Sequence, residues 1–87
     1  MGIIYKITNI SNNKIYIGKT IYSLNHRWQQ HLNIAFNKNR PSYNYKLYKA
    51  IRKYGKDNFI IETLEDIDNS LLNEKEIYWI KYYNSNN

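Results

Sequence analysis

The chain has 87 residues, 43% of them hydrophobic and 16% aromatic, enough for one packed core, too few for two, and too apolar for wholesale disorder. It has no cysteine, which excludes a disulfide framework or thiolate metal site, and no apolar run near the roughly 18–20 residues of a membrane span. Its charge of +6 is unevenly spread: residues 1–56 hold eleven Lys or Arg and no acid, whereas residues 57–87 hold two Lys and seven acids, so the first two thirds have the composition of a surface that meets polyanions.

In chain order, Ile3-Ile4-Tyr5-Lys6-Ile7-Thr8 and Lys14-Ile15-Tyr16-Ile17 are β-branched and aromatic, and the turn-forming Asn9-Ile10-Ser11-Asn12-Asn13 lies between them. This predicts a β-hairpin. Alternation puts Ile3, Tyr5 and Ile7 on one face of the first strand, and separates Tyr16 and Gly18 from Ile15 and Ile17 on the second. Gly18-Lys19-Thr20 leads into a helix with Ser23 as N-cap and Leu24, Trp28, Leu32 and Ala35 as its apolar stripe. Arg27 and His31 flank that stripe four residues apart. Asn37–Ser42 breaks the pattern. A shorter helix follows, with Leu47, Ala50, Ile51 and Tyr54 inward, Lys46, Lys49, Arg52 and Lys53 largely outward, and Gly55 at its stop. Asn58–Leu64 reads as a third strand, Asp66–Asn69 as turn and cap, and about Ser70–Tyr83 as a last helix. The order β-β-α-α-β-α predicts a single α+β domain, a small, mainly antiparallel three-stranded sheet flanked by helices.

On the last helix Leu72, Glu76, Trp79, Ile80 and Tyr83 share one face, so Glu76 sits amid apolar neighbours. A carboxylate there needs a cation, a metal or several hydrogen bonds. One alternative is an ion pair with Arg27 or a nearby Lys. The other is a metal ligand, and a single carboxylate suits Mg²⁺ (or Mn²⁺), which keeps several waters and meets substrate phosphate. Any metal-holding carboxylate must come from residues 57–87, where all the acids lie.

Ile3-Ile4-Tyr5 and Tyr16-Ile17-Gly18 resemble the two signature triplets of the GIY-YIG nuclease superfamily, a hairpin apart. Leu24-x-x-Arg27-Trp28-x-x-His31 resembles the Arg-bearing helix that follows them. Leu47-Tyr48-x-Ala50-Ile51-x-x-Tyr54-Gly55 with Phe59 resembles the middle segment, and Leu72-Asn73-Glu74-Lys75-Glu76-x-Tyr78-x-Ile80 the helix with the metal-binding Glu. The match runs from about Gly2 to Asn84 and is nearest in style to phage-type and homing endonuclease catalytic domains. Two departures stand out. Ile3 occupies the first Gly position, with Gly2 one residue early, and residues 84–87 read Asn-Ser-Asn-Asn where the family usually continues into a Gly-Tyr-Asn segment, so the expectation is a single domain without that supporting Asn and without a C-terminal DNA-recognition region.

The resemblance implies metal-dependent hydrolysis of DNA to 5′-phosphate and 3′-hydroxyl ends by Tyr5, Tyr16, Arg27, His31 and Glu76, with Gly18 and Lys19 in support. Glu76 would hold one divalent ion, and Arg27 would meet the phosphate. Tyr5 or Tyr16 would be the general base if Lys19 and Arg27 lower its pKa, and His31 would position water, assist the base or touch phosphate. Lys38, Arg40, Lys46, Lys49, Arg52 and Lys53 are candidate phosphate contacts, giving affinity that falls with salt. DNA is the expected partner, with no membrane involved, and the absence of a signal-peptide pattern points to an intracellular protein. The alternatives are a catalytically inactive nucleic-acid-binding module of the same fold and an interaction protein with an acidic partner. Gly18-Lys19-Thr20 lacks the upstream glycine of a phosphate loop, which disfavours a nucleotide hydrolase.

Overall fold

The computed structural model describes residues 1–83, so the Asn-rich end on which the expected missing segment falls lies outside it. The elements are β1 (Gly2–Asn9), β2 (Ile15–Thr20), α1 (Leu24–Ala35), α2 (Lys46–Tyr54), β3 (Phe59–Ile67) and α3 (Leu72–Tyr83), in the β-β-α-α-β-α order. Short 3₁₀ turns at Pro41–Asn44, Lys56–Asn58 and Asn69–Leu71 lead into α2, β3 and α3. The sheet order is β2-β1-β3, and both pairings are antiparallel.

A central strand with helices on both sides must be apolar on both faces, and β1 is. Tyr5 and Ile7 point into a core shared with Tyr16, Ala35, Leu47, Tyr48, Ile51 and Phe59, beneath α1 and α2. Ile4 points the other way, packing with Ile17 and Leu72 and with Trp79, Ile80 and Tyr83 of α3. The alternation expected for both hairpin strands therefore holds. So does the stripe on α3. On β3 the register slips between the partners of Ile4 and Tyr5, leaving Leu64 as an extra residue. The slip lets Phe59 and Ile61 face one core while Leu64 and Ile67 both face the other, which strict alternation forbids.

The local chemistry fixes the ends. Asn13 takes φ 60° in the hairpin turn, a left-handed conformation that Asn tolerates. Ser23 caps α1 by accepting from the His26 amide at 3.1 Å. Gly55, at φ 87°, ends α2 and donates its N–H to the Ile51 carbonyl. Two boundaries differ from expectation. β2 continues through Gly18 to Thr20, and β3 reaches Ile67 through residues expected to turn. In both cases pairing with β1 carries the strand past residues of low β-propensity.

Candidate active site

Tyr5 lies directly opposite Gly18 in the β1–β2 ladder. A Cβ at Gly18 would overlap the Tyr5 phenol, so glycine lets the ring lie across β2. β2 is an edge strand, and around it opens a cleft of about 640 Å³ lined from every layer of the fold. Tyr5, Gly18 and Lys19 come from the hairpin, Arg27 and His31 from α1, Tyr48 from α2 and Glu76 from α3.

The Tyr5 hydroxyl is held from two directions. It lies 2.7 Å from His31 Nε2, and Arg27 Nε donates to its oxygen at 3.2 Å. The other imidazole nitrogen, Nδ1, lies 2.7 Å from the Tyr48 hydroxyl. Arg27 is itself oriented by a bond from Nη1 to Gln30 Oε1 at 3.2 Å. Across the cleft, Glu76 is about a quarter exposed, and its Oε1 lies 3.3 Å from Lys19 Nζ. Lys19 also donates to Asn73 Oδ1 on the same helix. The ion-pair alternative for Glu76 is thus realised with lysine, and the carboxylate still opens to the cleft.

Burial sets the acid–base properties. It pushes the Tyr5 phenol above its ordinary value, against the opposing charge and hydrogen bond of Arg27. The expected lowering by neighbouring cations is therefore overcome. Burial, reinforced by Arg27, pulls His31 down from 6.5 to about 3, so the ring is a neutral imidazole at neutral pH. In the unfolded chain His31 binds a proton below about 6.5, and in the folded chain only below about 3. Stability is therefore complete above pH 6.5 and is lost as pH falls toward 3. The cost at pH 4 is about 3 kcal/mol. Urea unfolding at pH 7 and pH 4 should show this loss in the native chain and a smaller one in His31→Gln.

Tyr16 is placed elsewhere. It is buried beside Ile7, its partner across the ladder, and borders a second cavity with Lys14, Lys46, Lys49, Lys53 and Tyr54. Burial and the neighbouring Tyr54 raise its pKa. Tyr5 and Tyr16 thus border different cavities, and Lys46 alone of these lysines borders both. Lys38, Arg40, Lys46, Lys49 and Lys53 are exposed. Arg52 is not outward as expected: it stacks on Tyr43 with 3.7 Å to the ring centre and donates from Nη1 to the Ala35 carbonyl at 2.7 Å, closing the end of α1. Sequence reasoning missed Tyr48 as a site residue. It sits next to Leu47 and three before Ile51, so a slightly wider apolar face of α2 would have included it.

No three His, Cys, Asp or Glu side chains gather into a metal cage among the described residues. Among the described residues the cleft offers the single carboxylate of Glu76, which fits a hard cation that keeps its waters and takes substrate oxygens, and does not fit a zinc-type site. No helix among the described residues is long and apolar enough to cross a membrane.

A phenol gripped by an imidazole and a guanidinium, facing a carboxylate across an open basic cleft, is an arrangement for proton transfer beside an anion. The family model of the GIY-YIG catalytic domain matches residues 1–87, and the chain belongs to this family of nuclease domains. The solved catalytic domain of homing endonuclease I-TevI is similar, with 31% identity, 97% of this chain and 89% of that one covered, and a TM-score of 0.77. A mutant of the catalytic domain of intron endonuclease I-TevI is similar at 32% identity, covering 97% and 86%, with a TM-score of 0.80. The MSV199 domain-containing protein 146R of Invertebrate iridescent virus 6 is 39% identical over 67 residues, which are 77% of this chain and 26% of that protein, so the match spans about a quarter of that relative.

Proposed function

We propose that this chain is a divalent-metal-dependent DNA endonuclease domain that hydrolyses a phosphodiester bond in the cleft between Tyr5 and Glu76. The observation that carries this is the convergence of Tyr5, Arg27, His31 and Glu76, from three separate elements, on one open cavity. Tyr5 is the general base toward water, its oxygen steadied by Arg27 and its proton passed to His31 Nε2. The Arg27 guanidinium also faces the phosphate and offsets charge that grows on its oxygens in the transition state. Glu76 would hold the ion, and Lys19 pairs with the same carboxylate at 3.3 Å. A bound Mg²⁺ or Mn²⁺ would act as Lewis acid on the phosphate and stabilise the leaving 3′ oxygen. Products are a 5′-phosphate and a 3′-hydroxyl. The exposed Lys46, Lys49 and Lys53 of α2, leading away from the cleft, give the DNA backbone a track that needs no base contacts.

Supercoiled plasmid incubated with the domain tests the proposal. Conversion to nicked circles with Mg²⁺, and none with EDTA, is the expected result. Plasmid that is bound and left intact would reduce the domain to the inactive binding module.

A further inference from the structure

Tyr48 belongs to no signature triplet, yet its hydroxyl closes a buried chain that begins at Tyr5. The distances are Tyr5 to His31 Nε2 2.7 Å and His31 Nδ1 to Tyr48 2.7 Å, and the three residues are 2%, 4% and 5% exposed. A neutral imidazole has one N–H and one acceptor nitrogen, so the two phenols cannot be equivalent. The Tyr5 oxygen already accepts from Arg27 Nε, which leaves its O–H to donate. The acceptor within reach is His31 Nε2. Nδ1 then carries the hydrogen and donates it to the Tyr48 oxygen, and the Tyr48 O–H is left to face the cleft that Tyr48 lines.

We infer that Tyr48 is a positioning residue which holds His31 as the Nδ1–H tautomer and serves as the outlet of a Tyr5–His31–Tyr48 proton relay. This deepens the nuclease assignment and rests on it.

The protons balance. As Tyr5 takes a proton from the attacking water, its own passes to His31 Nε2, the Nδ1 proton passes to the Tyr48 oxygen, and Tyr48 releases its hydroxyl proton to water in the cleft. The imidazole ends as the Nε2–H tautomer and is neutral before and after. That is what this site requires, because burial and Arg27 both disfavour an imidazolium. A histidine that could only gain a proton would be a poor acceptor here, whereas one that hands a second proton on pays no charge penalty. The groups facing the relay are Arg27 from α1, Tyr45 and Arg40 near Tyr48, and Glu76 from α3 opposite Tyr5. None of them takes the place of the Tyr48 hydroxyl at Nδ1.

Tyr48→Phe keeps the ring in the core and removes only the oxygen. Two measurements on the whole chain decide the matter: ¹⁵N chemical shifts of the His31 ring, and single-turnover plasmid nicking with Mg²⁺ alongside DNA affinity. The expected results are an Nδ1–H tautomer in the native chain, a change toward Nε2–H in Tyr48→Phe, and nicking slower by about ten- to a hundredfold at unchanged affinity. An Nε2–H tautomer in the native chain overturns the inference, and needs no variant to fold. Nicking by Tyr48→Phe at the native rate overturns it as well. A native chain that does not nick at all fails the nuclease assignment instead, and shows itself before the variant is tried.

Discussion

Glu76→Gln is expected to lower Mg²⁺-dependent nicking by about a thousandfold or more, with thermal stability nearly unchanged. The substitution keeps the shape of the side chain and removes its charge, so the cleft loses the only carboxylate that lines it among the described residues. The folded chain loses little. The partner Lys19 is well exposed, and such an ion pair contributes at most about 1 kcal/mol. Lys19 also keeps its bond to Asn73. Plasmid nicking over a range of Mg²⁺ concentrations, with a melting curve on the same sample, separates the two effects. Native nicking by Glu76→Gln would remove this residue from the proposed chemistry. A collapse of the melting temperature would make it a structural ion pair instead.

Gly18→Ala should be nearly as damaging by a different route. The added methyl meets the Tyr5 ring head-on, and that ring is 2% exposed and bonded to both His31 and Arg27. The ring must swing or the strands must part. A displacement of about 1 Å at a reacting group costs about a hundredfold in rate, and overpacking costs about 1–3 kcal/mol. Single-turnover nicking and urea unfolding should both register the change. A fully active, fully stable Gly18→Ala would mean that Tyr5 is not held where the chemistry needs it. Glycine is required here by a side chain on the opposite strand, since Gly18 itself lies within a regular ladder.

Much of this could be read from residues in order. The period-two pattern of the hairpin sorted Tyr5 and Tyr16 from Ile4 and Ile17, and the 3.6-residue period of α3 exposed Glu76 as a charge in an apolar stripe. Both signals are local, carried by alternation and helical spacing alone. What stayed hidden depended on contacts between elements. Tyr5 and Tyr16 lie on the same face, but their ladder partners are Gly18 and Ile7, two residues apart along each strand, and about 7 Å of strand divides one cleft from the next. Arg52 looked like part of a basic helix face until the end of α1 came within its reach. Tyr48 stands in the segment that resembles the family's middle stretch, with nothing local to mark its hydroxyl, and only the approach of α1 to α2 gives that hydroxyl a partner. The slip in β3 has no sequence mark of its own, because it shows only in the packing of both Leu64 and Ile67 against the core that α3 covers.

The proposed chemistry requires Tyr5 as its working phenol, and the most direct test pairs Tyr5→Phe with Tyr16→Phe. Each removes one hydroxyl and keeps its ring in the core. Single-turnover nicking under the same Mg²⁺ and DNA conditions should fall by about a hundred- to ten-thousandfold for Tyr5→Phe and by less than about tenfold for Tyr16→Phe. Equal losses, or a Tyr16→Phe chain that is dead beside an active Tyr5→Phe, would contradict it.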